Sequence, residues 1–230
     1  MRILVTGFEP FGGETINPSW EVARALHDES IGAARVTALM LPCRFGESGR
    51  VLAAELAREP AHAVIALGQA ARRTDLSVER VAINIDDAPI PDNAGDQPIE
   101  RTVIAGAPAG YFSTLPIRHI VAAMRAAGLP ASVSQTAGTF VCNHLFFHLA
   151  HLLVTAHPHT RGGFIHLPML PQQAASWPGM PSLSLETMIA GVRIAVATTA
   201  ADDAEPGATA PAGGATVATA STTTSEGAIS

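Results

Sequence analysis

A chain of 230 residues that is 47% hydrophobic and 15% charged is long and apolar enough to form one globular domain with a sizeable core. Its formal net charge of −6 gives no electrostatic reason to expect nucleic acid or an anionic membrane as a partner. All 14 basic residues are Arg, so chemistry that needs Lys, such as Schiff-base formation or P-loop nucleotide binding, is excluded.

The cysteine count and the lack of long apolar runs predict a cytoplasmic protein. Cys43 and Cys142 are the only cysteines, and their spacing suits neither a disulfide framework nor a zinc cluster. The apolar run at Met1–Gly7 is too short for a signal peptide, and no stretch has the composition of a membrane span. A reducing cytoplasm fits these features best.

Short apolar strands alternate with amphipathic helices along most of the chain. Strands are predicted at Arg2–Thr6, Val36–Leu41, Ala63–Leu67, Ala131–Thr136 and Gly163–Pro168, with a looser alternation at Leu76–Ile85. Helices are predicted at Pro18–Leu26, Phe45–Arg58, 114–127, 142–153 and 185–195. This alternation predicts a single-domain α/β fold with three layers (α/β/α), in which helices cover both faces of a twisted, mainly parallel sheet.

The composition changes near residue 201. From there to residue 230 the chain consists mainly of Ala, Thr, Gly, Ser and Pro, and it has almost no large apolar side chains. Such a segment cannot bury enough surface to offset the entropy that is lost on ordering. We therefore expect a folded domain at residues 1–200 and a low-complexity, disordered tail at residues 201–230.

A glycine-rich loop, Gly7–Gly13, follows the first predicted strand, at the sheet edge where α/β folds bind their ligands. Phosphate binding is not expected, since the loop lacks the phosphate-binding glycine motifs and Pro10 removes an amide donor. Phe8 and Phe11 could instead contact a flat, neutral ligand, and packing of both rings in the core is the alternative.

Segment Asp86–Pro98 is rich in Asp and Pro. Its aspartates Asp86, Asp87, Asp92 and Asp96 could bind a hard cation, but the EF-hand pattern is absent. Both residue types are common in turns for backbone reasons, so a structured turn is the favoured interpretation.

Cys142 falls near the start of the helix that follows the strand at Ala131–Thr136. Free N–H groups and the positive end of the helix dipole would favour its thiolate, the form that acts as a nucleophile. A buried, inert cysteine is the alternative. His166, near the end of a later strand, could meet Cys142 at one edge of a parallel sheet and act as its base, with a carboxylate from elsewhere.

Three histidines suggest a different kind of site. His144 and His148 have the i, i+4 spacing of two zinc ligands on one helix, and His151 follows them. However, Leu145 occupies the position of the catalytic Glu in the zinc-peptidase motif, and no third ligand has a recognisable pattern. A zinc hydrolase is therefore kept as an alternative function.

Six sequence motifs follow one another along the predicted domain. They are Gly7–Gly13 with Asn17–Ser19, Leu67–Ala70 with Arg73 and Thr74, Glu79–Asn84, Ile90–Asn93, Ala137–His144 and Gly162–Pro168. In this order they resemble the pyroglutamyl peptidase I (pyrrolidone-carboxylate peptidase) family of cysteine peptidases. The resemblance implies removal of an N-terminal pyroglutamyl (5-oxoprolyl) residue from peptides through a thioester acyl-enzyme, without a metal or other cofactor.

The resemblance also implies roles for single residues. Cys142 would be the nucleophile, His166 the general base and acid, and Glu79 the carboxylate that orients the imidazole. The implied substrate pocket consists of Phe8, Phe11, Gln69, Phe140 and Val141. Aromatic walls can enclose a flat lactam, whereas burial of a charged free N-terminus there would be costly. The implied partners are peptides with N-terminal pyroglutamate and further copies of the chain, often as a homotetramer.

Two positions depart from the family pattern. Pro89 stands where the family commonly has Arg, a loss that Arg72, Arg73 or Arg80 could offset. Cys43 stands where the family usually has an aliphatic residue, and it is interpreted as structural. A non-catalytic binder of pyroglutamate-like lactams is the second alternative function.

Overall fold

The computed structural model describes residues 1–202, and residues 203–230 of the predicted tail lie outside the described residues. The strands are β1 (Arg2–Phe8), β2 (Ser30–Ile31), β3 (Ala34–Leu41), β4 (Ala63–Gln69), β5 (Leu76–Glu79), β6 (Val81–Ile83), β7 (Gly110–Phe112), β8 (Ala131–Ser134) and β9 (Arg161–Leu167). The helices are α1 (Pro18–Ala25), α2 (Glu47–Arg58), α3 (Ile117–Ala126), α4 (Val141–Ala156), α5 (Pro171–Ala174) and α6 (Leu185–Asp202). Within residues 1–202, no helix has the length and hydropathy needed to cross a membrane.

Seven strands form one sheet in the order β2-β3-β1-β4-β9-β5-β8, and β6 and β7 form a separate antiparallel pair. Strands β3, β1, β4 and β9 run parallel to one another. β5 is antiparallel to β9 and parallel to β8, and β2 is antiparallel to β3. The predicted α/β fold with a mainly parallel sheet is confirmed, but the part of the sheet that contains β5 and β8 runs in the opposite direction.

Helices cover both faces of this sheet. Ile3 and Val5 of β1 pack in one hydrophobic core with α1, α3 and α6, whereas Leu4 packs in a second core with α2 and α4. The alternation follows from the two-residue period of a strand. All three side chains are fully buried, and each such burial contributes roughly 1.5–3 kcal/mol to folding. The predicted three-layer arrangement is therefore confirmed.

Gly7 continues β1 and does not end it as predicted. A Cβ at Gly7 would lie 2.3 Å from the backbone oxygen of Ser19, so only glycine lets the start of α1 approach the strand this closely. The helix itself begins as predicted, with Asn17 accepting a hydrogen bond from the N–H of Ser19 and Pro18 as the first helical residue. Phe8 is thereby held at the end of a central strand.

Helix α6 is described as far as Asp202, the last residue that the structure describes. Asp202 forms an ion pair with Arg161 of β9 and lies 3.3 Å from Nδ1 of His119 in α3. These contacts join the described part of α6 to the sheet and to a neighbouring helix.

Candidate active site

Cys142 is the second residue of α4, close to the predicted helix start. Phe140, just before the helix, is extended, and no side chain within residues 1–202 caps this end of α4. The first backbone N–H groups of the helix therefore remain available at the end that carries the thiol. Together with the helix dipole, they would stabilise a negative charge that develops there.

Gly68 of β4 lies directly beneath the thiol. A Cβ at this position would lie 2.8 Å from the sulfur of Cys142 and 2.7 Å from Cζ of Phe164. Both distances are shorter than van der Waals contact, so any larger residue would displace the sulfur or the Phe164 ring. The glycine of the Leu67–Ala70 motif thus helps to set the position of the thiol.

Burial opposes the effect that the helix start has on the protonation of Cys142. Removal from water raises the pKa of the Cys142 thiol to about 12, and the negative charge of nearby Glu79 adds to the increase. A thiol that keeps its proton needs a base before it can act as a nucleophile.

His166 and Glu79 come together from two antiparallel strands. His166 of β9 lies opposite Ser77 of β5, two residues before Glu79. Nδ1 of His166 is 2.8 Å from Oε1 of Glu79, and both side chains are buried. Since a carboxylate only accepts hydrogen bonds, Nδ1 carries the proton and Nε2 remains to accept one.

A cavity of about 480 Å³ contains the thiol of Cys142 and the imidazole of His166. Four of the five predicted substrate-binding residues also line it: Phe8, Phe11, Gln69 and Phe140. The rings of Phe11 and Phe140 are tilted by 42° and their centroids are 6.0 Å apart. Val141 differs, because its side chain is fully buried in the core and does not line the cavity. The side chain of Val141 is therefore not available to a ligand in this cavity.

Comparison with known proteins identifies the family. A model of the pyroglutamyl peptidase family matches residues 1–202. The chain belongs to this family. A pyrrolidone-carboxylate peptidase of Cupriavidus pinatubonensis is 59% identical over 204 residues, which cover 88% of this chain and 94% of that relative. A pyrrolidone-carboxylate peptidase of Erwinia tasmaniensis is 56% identical over 195 residues, which cover 85% and 91%.

Solved structures of pyroglutamyl peptidases share the fold. The crystal structure of pyroglutamyl peptidase I from Bacillus amyloliquefaciens matches with a TM-score of 0.85 at 45% identity, over 87% of this chain and 97% of that one. A mutant of pyrrolidone carboxyl peptidase from the hyperthermophile Pyrococcus furiosus matches with a TM-score of 0.85 at 38% identity, over 88% and 99%. The similarity therefore spans nearly the whole length of both proteins.

The cavity of this pyroglutamyl peptidase family member also includes residues that the sequence did not assign to a site. They are Cys43, Ala70, Ala71, Arg73, Pro89, Ile90 and the loop 136–139. Ile90 and most of the loop lie within family motifs, and that signal could have identified them. Cys43 gave no such signal, because it departs from the family pattern. Cys43 borders the cavity, so its interpretation as purely structural is incomplete. Burial raises the pKa of its thiol far above the usual range.

The three arginines considered as substitutes at position 89 have different surroundings. Arg80 donates a hydrogen bond to Gln135 at 3.0 Å, and Arg72 is exposed. Arg73 lines the cavity and lies 3.4 Å from Oε1 of Glu79. Of the three, the structure places only Arg73 in contact with the candidate site.

The histidines of α4 do not form the zinc site that was kept as an alternative. Nδ1 of His144 lies 2.9 Å from Asp86, and its Nε2 accepts a hydrogen bond from the N–H of Gly46 at 2.8 Å. Nδ1 of His151 lies 2.8 Å from the hydroxyl of Tyr111. Both nitrogens of His144 thus connect the helix to two loops, and residues 1–202 contain no group of three side chains that could hold a metal ion. In the part of the chain that the structure describes, both nitrogens of His144 are therefore already engaged and are not available as zinc ligands.

The acidic segment after β6 forms the structured turn that was favoured. Oδ1 of Asp92 accepts hydrogen bonds from the N–H groups of Ala94 at 2.8 Å and Asp96 at 2.9 Å. Oδ2 of Asp92 accepts one from the N–H of Phe45 at 2.8 Å. The carboxylate thus satisfies backbone donors, as Asp commonly does in turns.

Proposed function

We propose that this pyroglutamyl peptidase family member is a cysteine peptidase that removes an N-terminal pyroglutamyl residue from peptides through a thioester acyl-enzyme. The observation that carries the proposal is the cavity itself, in which a thiol and a carboxylate-bound imidazole face aromatic walls. The relatives named pyrrolidone-carboxylate peptidase support the choice of substrate.

The proposed reaction begins with a proton transfer. Nε2 of His166 takes the proton of the Cys142 thiol. The sulfur attacks the carbonyl carbon that joins the pyroglutamyl residue to the next residue. The negative oxygen that forms would be stabilised by the free N–H groups at the start of α4. The bond between carbon and the leaving nitrogen then breaks, and that nitrogen takes the proton from His166. Water, activated by the same imidazole, hydrolyses the thioester and regenerates the thiol.

Glu79 has the role of orienting the base in this proposal. Its hydrogen bond with Nδ1 fixes one tautomer of His166, and its charge stabilises the imidazolium that forms during acylation. The raised pKa of the Cys142 thiol fits such a step, because a thiol in these surroundings needs a base to form the thiolate.

Recognition of the pyroglutamyl ring would depend on its shape and neutrality. The lactam is flat and uncharged, and it offers one N–H donor and one carbonyl acceptor. Phe8, Phe11 and Phe140 can enclose its faces, while the amide of Gln69 and the backbone of Val141 bond its two polar atoms. A peptide with a free N-terminus would bring an ammonium group into an apolar site without a partner for it.

We also infer a cytoplasmic location, which the cysteine usage favours, and a homotetramer, which the family resemblance implies. Cys43 and Cys142 are both free thiols, which fits a reducing compartment. Analytical ultracentrifugation would test the assembly, since a tetramer and a monomer of this chain differ fourfold in mass.

Substrate selectivity tests the proposed function. The protein is expected to release a fluorophore from its pyroglutamyl amide with kcat/KM at least about 10³-fold higher than from the prolyl amide of the same fluorophore. The prolyl group keeps the ring size but lacks the lactam carbonyl and carries a positive charge, so it is a matched control. Similar rates for both amides would contradict the proposal. Binding of pyroglutamate without any release of fluorophore would favour the non-catalytic binder.

A further inference from the structure

Arg73 lies in the loop between β4 and β5, at the wall of the cavity that contains Cys142 and His166. It is the only guanidinium among the described residues that line this cavity. The side chain of Arg73 is 33% exposed, whereas that of Glu79 is fully buried. A positive charge therefore lies at the boundary between the cavity and the buried carboxylate.

One nitrogen of Arg73, Nη2, contacts three acceptors. It donates hydrogen bonds at 3.0 Å to the hydroxyl of Ser134 and at 3.0 Å to the backbone oxygen of Thr136. Its distance of 3.4 Å to Oε1 of Glu79 is long for a charge-assisted hydrogen bond, so that attraction is mainly Coulombic. The two shorter bonds hold the guanidinium in place, and they keep its charge beside the carboxylate.

Glu79 has few other groups that could stabilise its charge. Oε1 is shared between Arg73 and Nδ1 of His166, while Oε2 is buried and has no hydrogen-bond partner within residues 1–202. A buried carboxylate with so few contacts depends on each of them to keep its position. If Glu79 moved, Nδ1 of His166 would lose the acceptor that fixes the orientation of the imidazole.

The hydrogen bonds to Ser134 and Thr136 also connect Arg73 to a second part of the site. Ser134 ends β8, next to Glu79 in the register of β5 and β8, and Thr136 belongs to the loop that leads into α4. Arg73 therefore links the carboxylate to the segment that precedes the nucleophile. Arg73 is thus connected to His166 through Glu79, and to Cys142 through the segment before α4.

We propose that Arg73 is a positioning residue that keeps Glu79 in place, and that through Glu79 it holds His166 ready to accept the proton of Cys142. Because this role presupposes the proposed peptidase activity, it refines that function. Arg73 need not touch the substrate to do so.

A double-mutant cycle with Arg73→Met and Glu79→Gln tests the proposal, with the pyroglutamyl amide as substrate. In the parent background, Arg73→Met is expected to lower kcat by about 10- to 100-fold and to change KM by less than about 3-fold. In the Glu79→Gln background, the same substitution is expected to lower kcat by less than about 3-fold, because the group through which Arg73 acts is already neutral.

Two further variants serve as controls. Arg73→Lys keeps the positive charge but loses the planar guanidinium group. Its kcat is expected to be about tenfold higher than that of Arg73→Met. Arg72→Met changes the exposed neighbour, and it is expected to leave kcat unchanged. Thermal melting checks that each variant is folded, and Arg73→Gln replaces the Met variant in the cycle if the latter is not.

Equal losses of kcat in both backgrounds would overturn the proposal, because Arg73 would then act independently of Glu79. An Arg73→Met protein as fast as the parent would overturn it as well. Neither outcome affects the proposed function, which fails only if the parent itself does not cleave the amide.

Discussion

Cys142→Ser is expected to lower kcat for the pyroglutamyl amide by at least about 10⁴-fold, the largest effect of any single substitution in this protein. A serine hydroxyl has the right shape but holds its proton far more tightly than a thiol, and the His166–Glu79 pair is arranged for the thiol. The ring pocket stays intact, so binding of pyroglutamate should be retained. Steady-state kinetics and calorimetric titration of pyroglutamate measure the two quantities.

Cys43→Ser is the matched control for this experiment. Cys43 borders the same cavity and is the only other cysteine, but no base lies in hydrogen-bonding contact with its thiol within the described part of the chain. The kcat of the Cys43→Ser protein is expected to stay within about 3-fold of the parent value. A Cys142→Ser protein that retains most of its turnover, or a Cys43→Ser protein that loses it, would contradict the assignment of the nucleophile.

Glu79→Gln is expected to lower kcat by roughly 10²- to 10⁴-fold and to leave KM within about 3-fold of the parent value. The amide is nearly the same size as the carboxylate, but it is neutral and can present either a donor or an acceptor to Nδ1 of His166. The imidazole would then be held in the wrong tautomer for part of the time, and its charged form would lose a partner. An unchanged kcat would remove Glu79 from the proposed mechanism.

Asp86→Asn is a close control for that substitution. Asp86, like Glu79, is a buried carboxylate in contact with Nδ1 of a histidine, in this case His144 at 2.9 Å. His144 does not line the cavity, so the pair is expected to affect stability, with a cost of about 1–3 kcal/mol, and to leave kcat nearly unchanged. Comparison of the two variants separates loss of a buried hydrogen bond between carboxylate and imidazole from loss of an oriented base.

The alternation of strands and helices was predictable because it depends on local periodicity. Apolar runs such as Ala63–Leu67 and the amphipathic spacing of Leu52 and Leu56 are visible in short windows of sequence. The position of Cys142 near a helix start followed from the same pattern. These features need no knowledge of distant parts of the chain.

The direction of β5 was not predictable from such patterns. A short strand has the same alternation whether its neighbour is parallel or antiparallel, and its pairing with β9 joins residues far apart in sequence. The contact between Glu79 and His166 depends on that pairing. From the residues alone, the base therefore lacked an identified carboxylate, and only the family resemblance suggested one.

The protonation of Cys142 illustrates a different limit. Its place at the start of α4 was predicted well, and the helix dipole does favour a thiolate there. Burial raises the pKa and so acts in the opposite direction, and burial depends on Gly68, Phe164 and other residues that are brought close only by the fold. Likewise, Arg73 could not be chosen over Arg72 or Arg80 before the loop between β4 and β5 was placed.

The most direct test of the central claim follows the rate of fluorophore release from a pyroglutamyl amide as the protein is alkylated in the presence of excess chelator. Peptide mass spectrometry gives the modified fraction of Cys142 and of Cys43 in each sample. The predicted result is a rate that does not change on addition of chelator and that falls in proportion to the unmodified fraction of Cys142, whatever the state of Cys43. A rate that the chelator abolishes, or one that persists when Cys142 is fully alkylated, would contradict the account.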